Sequence, residues 1–214
     1  VVHGLRATGS ERSNLAVFNP GTSAVTVRIV AASGAGDGGE AVAADSLRLE
    51  AGEWQQVDGI LAKAGMAQGW AVVERTEGGV FGAYGVVNDG GTNDGSFLEA
   101  APDTATATTV TVPVLVETPA FRTELVLANR GTTAAVLTLD YRESLAPSLG
   151  AGGSAAVTLG PREQRIVPEA VQERIFTLKE RGALLQKVHF GQFMEGYDVY
   201  VSATGQLGTL IANP

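Results

Sequence analysis

Alternation of apolar and polar positions, with few helical stripes, sets the pattern of this chain. Val25, Val27 and Ile29 alternate with Thr26 and Arg28, as in a strand with one buried and one wet face. Just before them, Leu15-Ala16-Val17-Phe18 leaves neither face polar, which predicts a strand buried on both sides. Asn19-Pro20-Gly21-Thr22 separates the two and reads as a tight hairpin turn in which Gly21 supplies a positive φ. Short strands are also predicted over 1–5, 47–49, 70–74 and 80–87, with a wide Gly-rich loop at 33–40 and a polar loop at 88–96. Asp58 stands where it would N-cap a short helix over 59–64, which Gly65 would end.

The strand–turn–strand pattern returns at a fixed offset. Arg12, Leu15, Asn19, Gly21, Thr22 and Ala24 are matched by Arg122, Leu125, Asn129, Gly131, Thr132 and Ala134. Six identities in this short window exceed the roughly one or two expected from average usage, so a duplicated unit follows. The offset persists through Leu49/Leu159, Glu53/Glu163 and Val57/Val167. Beyond Val167 the second unit departs: Pro168 suits a first helical turn, and Val171, Ile175 and Leu178 share one stripe up to Gly182. The expected fold is all-β, with two tandem antiparallel β-sandwich domains over 1–100 and 110–214. A Thr/Ala/Pro linker over 101–109 would join them, and each would carry a short helix, lengthened in the second to an insertion over 168–182.

Composition narrows the chemistry. With 214 residues and 44% of them apolar, each unit has material for a core, and 28 glycines suit many turns. A net charge of −8 without any Lys/Arg cluster argues against a nucleic-acid partner. No Cys means no thiol nucleophile and no disulfide. No apolar run reaches the ~20 residues that span a bilayer, so no membrane insertion is expected. The first residue is Val1 and not Met, which fits a processed chain or a fragment.

Candidate chemistry is sparse. The Gly34–Gly39 segment matches G-x-G-x-x-G, but antiparallel-type strands surround it where a parallel crossover is needed. Asp89, Asn93 and Asp94 in the 88–95 loop are candidate calcium ligands, although no downstream Glu completes an EF-hand and such clusters also form plain turns. No other cofactor is expected. His3 and His189 lie in no zinc or triad setting, and neither G-x-S-x-G nor H-E-x-x-H occurs, so the chain does not read as an enzyme. Glu53 and Glu163 recur at one repeat position, which fits a turn-binding role better than catalysis. Trp54, Trp70, Phe81 and Tyr84 offer either a sugar-stacking platform or ordinary core packing. No N-x-[ST] sequon is present, and the Thr-rich linker offers sites for O-glycosylation.

Three segments carry a resemblance: Arg12 through Gly21, then Gly52-Glu53-Trp54-Gln55-Gln56-Val57, then Tyr84 through Gly90. Together with Val112-Pro113-Val114 and Arg122 through Gly131, they resemble the β-sandwich repeat modules of large secreted bacterial proteins, common in acidobacteria-like genomes. The strand–Asn-x-Gly–strand pattern is similar, more broadly, to Ig-like and cell-adhesion domains. The resemblance implies a non-catalytic extracellular module on a bacterial surface, with no catalytic residues to carry over. The expected function is structural or adhesive, with the chain as subunit of a surface fibre built by edge-strand contacts. Val1, Val2 and Leu5 at one end, and Leu207, Leu210 and Ile211 at the other, are the candidate contact strands. The partners would be other copies or neighbouring surface proteins, with a glycan as a further ligand. The competing expectation is a carbohydrate-binding accessory module of a secreted enzyme. A hydrolase built on acidic pairs finds no supporting spacing.

Overall fold

The computed structural model describes residues 1–37, 41–102, 109–117, 123–143, 152–167, 182–190, 199–205 and 208–211. These residues are mostly strand with a single short helical turn, all their strand pairs are antiparallel, and the chain divides into two compact units, Val1–Asp103 and Thr104–Pro214. The first contains β1 (Val2–Arg6), β2 (Glu11–Phe18), β3 (Val25–Ser33), β4 (Val42–Leu49), β5 (Trp54–Val57), the helical turn α1 (Ile60–Lys63), β6 (Gln68–Gly78), β7 (Gly82–Asp89) and β8 (Gly95–Glu99). They form two four-stranded sheets, ordered β1-β6-β3-β4 and β5-β2-β7-β8.

The alternation read from the sequence sorts these strands. Val25, Val27 and Ile29 are fully buried while Arg28 is exposed. Each of the eight strands sends at least one side chain into a single core, among them Leu5, Leu15, Leu49, Val57, Ala71, Val87 and Leu98. Ile60 and Leu61 of α1 join it. Burying one such Leu or Ile is worth about 1.5–3 kcal/mol, so the shared core outweighs any local propensity.

The second unit repeats this topology. Its strands are β9 (Thr109–Glu117), β10 (Thr123–Asn129), β11 (Ala135–Glu143), β12 (Gly152–Leu159), β13 (Gln164–Val167), β14 (Gly182–Phe190), β15 (Val199–Gly205) and β16 (Gly208–Ile211). The sheet orders are β12-β11-β14-β9 and β13-β10-β15-β16, strand for strand those of the first unit. Registers coincide as well. Leu15 faces Val57 and Phe18 faces Trp54, while Leu125 faces Val167 and Ala128 faces Gln164. Val25 faces Leu49 as Ala135 faces Leu159. A side chain in one unit can therefore be compared with its counterpart position by position.

Several expectations need correction. The Asn-x-Gly-Thr segments are not hairpins: β2 and β3 lie in different sheets, as do β10 and β11, so each turn carries the chain across. Gly21 accordingly has no positive φ. Asp58 does not cap α1. Gly59 enters it in the left-handed conformation, and the Asp58 carboxylate instead accepts a bond from Gln56 Nε2. The 88–96 loop is shorter than expected because Gly95 already begins β8. Ala101, assigned to the linker, is buried and exchanges two backbone bonds with Val1, and Thr109 belongs to β9. Of the helical insertion over 168–182, residues 168–181 lie outside the described residues, and Gly182 opens β14 where a helix stop was expected.

Candidate binding face

The sheet β5-β2-β7-β8 has one face on the core and one turned away from it, and the second carries aromatic side chains. Strand parity decides which. Leu15 and Val17 point into the core, so Ala16 and Phe18 point out, and the registers place Trp54, Tyr84 and Phe97 on the same side. Trp54 and Phe97 are each 50% exposed and Phe18 36%. Four rings from four adjacent strands thus share one outer surface.

Neighbouring groups hold these rings in place. Trp54 Nε1 donates to Tyr84 Oη at 3.0 Å, across the intervening β2. The bridge passes above Ala16, which pairs with both Gln56 and Tyr84 and is 1% exposed. Tyr84 and Phe97 have ring centroids 5.1 Å apart in a tilted arrangement, a favourable aromatic geometry. Phe18 lies over Gly82, its cross-strand partner, where a Cβ would collide with the ring. Because the phenol oxygen accepts the indole N–H, the two side chains lose freedom before any ligand arrives.

The Phe18/Trp54 end is fixed from beneath by the repeated Asn–Glu pair. Asn19 is 1% exposed, and its Nδ2 donates to Ser23 O at 2.8 Å, Glu50 O at 3.0 Å and Leu49 O at 3.2 Å. Its Oδ1 accepts from Gly21 N at 2.9 Å. Asn19 N donates to Glu53 O, while Glu53 Oε2 accepts from Glu50 N at 2.7 Å. Asn129 and Glu163 repeat the arrangement, with Asn129 Nδ2 donating to Thr133 O and Gly160 O, and Gly160 N donating to Glu163 Oε2. These glutamates therefore bind turns, as their recurrence suggested.

The Glu50 N–H, and after it the Gln55 amide, lower the Glu53 pKa below its ordinary value. A depressed carboxylate stabilises the fold above its unfolded pKa and loses that contribution as pH falls through the folded value. Glu53→Gln should therefore be less stable than the parent at neutral pH, with the gap closing on acidification. Parallel urea melts between pH 7 and pH 3 (~10⁴-fold in proton concentration) check this; a gap that widens in acid would contradict the assignment.

The remaining predicted site residues lie elsewhere, and Asp89, Asn93 and Asp94 share one turn closed by Asp89 N donating to Asp94 O and Asn93 N to Asp89 O. This is the β7–β8 turn, where Asp89 Oδ1 accepts from Gly91 N at 2.7 Å and Asn93 takes a positive φ. Among the described residues no three His, Cys, Asp or Glu side chains are grouped to hold a metal ion. Residues 34–37 of the glycine-rich segment follow β3, whose next strand β4 pairs with it antiparallel, and residues 38–39 lie outside the described residues. His3 is buried with its ring centroid 6.1 Å from that of Trp70, and His189 pairs with Thr138 and Thr109 in β14. Trp70 is 3% exposed and interior, and Phe81 is half-buried against the core. Phe18 and Phe97 take their place. The apolar run Leu15–Phe18 hides the outward side of Phe18, and Phe97 directly follows the polar 88–96 stretch. The alternation with Leu98 was the available signal for Phe97.

Val1, Val2 and Leu5 are buried core positions, so their side chains offer no contact surface. Leu210 and Ile211 lie in β16, the last strand of its sheet, and Leu207 lies outside the described residues. Among the described residues no helix is long and apolar enough to cross a membrane. Comparison with protein-family models, with curated proteins and with solved structures finds no match to this chain.

Proposed function

We propose that this chain is a non-catalytic adhesive module of a bacterial cell surface or secreted protein, built of two tandem Ig-like β-sandwich units. In this reading the first unit attaches through its aromatic outer face. The observation that carries it is the difference between the repeats. At the positions of Phe18 and Trp54 the second unit has Ala128 and Gln164, paired in the same register, with Gln164 1% exposed. The topology is thus built without the aromatic row, so the fold does not demand it. A large exposed ring costs solubility, and exposed aromatic clusters mark binding surfaces.

The test is retention on polysaccharide-rich cell-wall material. Trp54→Ala/Tyr84→Ala should weaken retention about tenfold or more, since each stacked ring is worth about 1 kcal/mol or more. Its far-ultraviolet dichroism should match the parent. Equal retention by the double variant would remove the face as the attachment site.

A second reading, a fibre joined by edge strands, draws support from the place of β16 at the end of its sheet. It predicts filaments in micrographs of concentrated protein. Monodisperse monomer by light scattering would speak against it.

A further inference from the structure

Resting on the attachment role just described, we infer that the aromatic face binds a neutral polysaccharide laid diagonally across the four strands, its sugar rings stacked on Trp54, Phe18, Tyr84 and Phe97.

The geometry supports a long, narrow ligand. Phe18 and Trp54 are level with each other; Tyr84 is level with Ala16, two residues along; Phe97 is level with Val86, two further on. With strands about 4.8 Å apart and two residues rising about 6.7 Å, the row spans roughly 20 Å. It is one ring wide, with the exposed Gln56 and Glu99 and the half-buried Asn88 on the same face. A stable protein partner would need about 800 Å² of surface with an apolar centre, and a single diagonal row among polar groups does not make one. A sugar chain does fit. Pyranose rings with equatorial substituents present C–H faces to aromatic rings, while their hydroxyls point sideways toward amides and carboxylates.

Charge selects the neutral class. Glu99 pairs with Tyr84, Asp58 is bound to Gln56 just past the Val57 end of β5, and Arg12 is the cation on the far corner of β2. Two carboxylates against one guanidinium, on a chain of net charge −8, oppose a polyanion.

Co-sedimentation of the full chain with microcrystalline cellulose, chitin and insoluble mannan, against polygalacturonate beads, tests the assignment. The expected result is retention on at least one neutral polymer, insensitive to salt. Trp54→Ala and Phe97→Ala should each weaken it about tenfold, as loss of one stacked ring does, and Val136→Ser should leave it unchanged. Val136 is an exposed apolar residue of the second unit, so it controls for general stickiness. Retention on polygalacturonate alone, lost in the same variants, would overturn the neutral class while keeping the attachment face. No retention on any polymer would overturn the polysaccharide. If Trp54→Ala then also leaves attachment to whole cell walls intact, the attachment reading falls with it; if that attachment is lost, a non-carbohydrate ligand holds the face.

Discussion

Asn19→Ala should destabilise the first unit by about 3 kcal/mol, because it strands several backbone groups at once. The side chain is 1% exposed and serves the carbonyls of Ser23, Leu49 and Glu50 and the N–H of Gly21. A methyl group replaces none of these bonds, and the one to the Leu49 carbonyl is buried away from water. Asn19→Asp should fail in a similar way, since a carboxylate oxygen would then face the carbonyls that Nδ2 now serves. Both tryptophans lie in this unit, so urea unfolding followed by tryptophan fluorescence reads it directly. A midpoint within experimental error of the parent would show that the clasp is dispensable, and with it the account of how Phe18 and Trp54 are fixed.

Gly78→Ala should cost more than about 3 kcal/mol, through backbone strain and collision together. Gly78 ends β6 at φ +82°, a region that L side chains rarely adopt, and an added Cβ would run into the carbonyl of Ala24. That carbonyl also accepts from Gly79 N at 3.0 Å, so it cannot move aside without losing a bond. The register shifts between Thr26 and Val27, leaving Thr76 as the extra residue of β6, and regular pairing resumes through Glu77 to Gly78. The same urea experiment checks the prediction. A variant as stable as the parent would mean that the strand end relaxes, and that the crossing from β6 to β7 does not depend on this conformation.

These two sites differ in how far the sequence disclosed them. Asn19 was legible because its counterpart Asn129 stands in the same motif, and recurrence in both repeats marks what the fold needs. The turn-binding carboxylates of Glu53 and Glu163 were legible for the same reason. The role of Gly78 was not, since the dipeptide Gly78-Gly79 read only as a turn. The collision that makes it obligatory comes from Ala24, more than fifty residues away.

The sequence by itself determined the duplication, the strand-dominated architecture and the inward set of each well-alternating strand, because these follow from local periodicity and from comparing the chain with itself. Only the tertiary structure decided which strands pair. Strand parity says which side chains share a face but not which strands become neighbours, so Asn-x-Gly-Thr looked like a hairpin when it is a crossing between sheets. The aromatic row depends on the same unknown. Phe18, Trp54, Tyr84 and Phe97 lie far apart along the chain, and only the registers of β5, β2, β7 and β8 bring them onto one surface. Local sequence fixes each ring's side of its own strand; long-range backbone hydrogen bonding makes four separate rings one face.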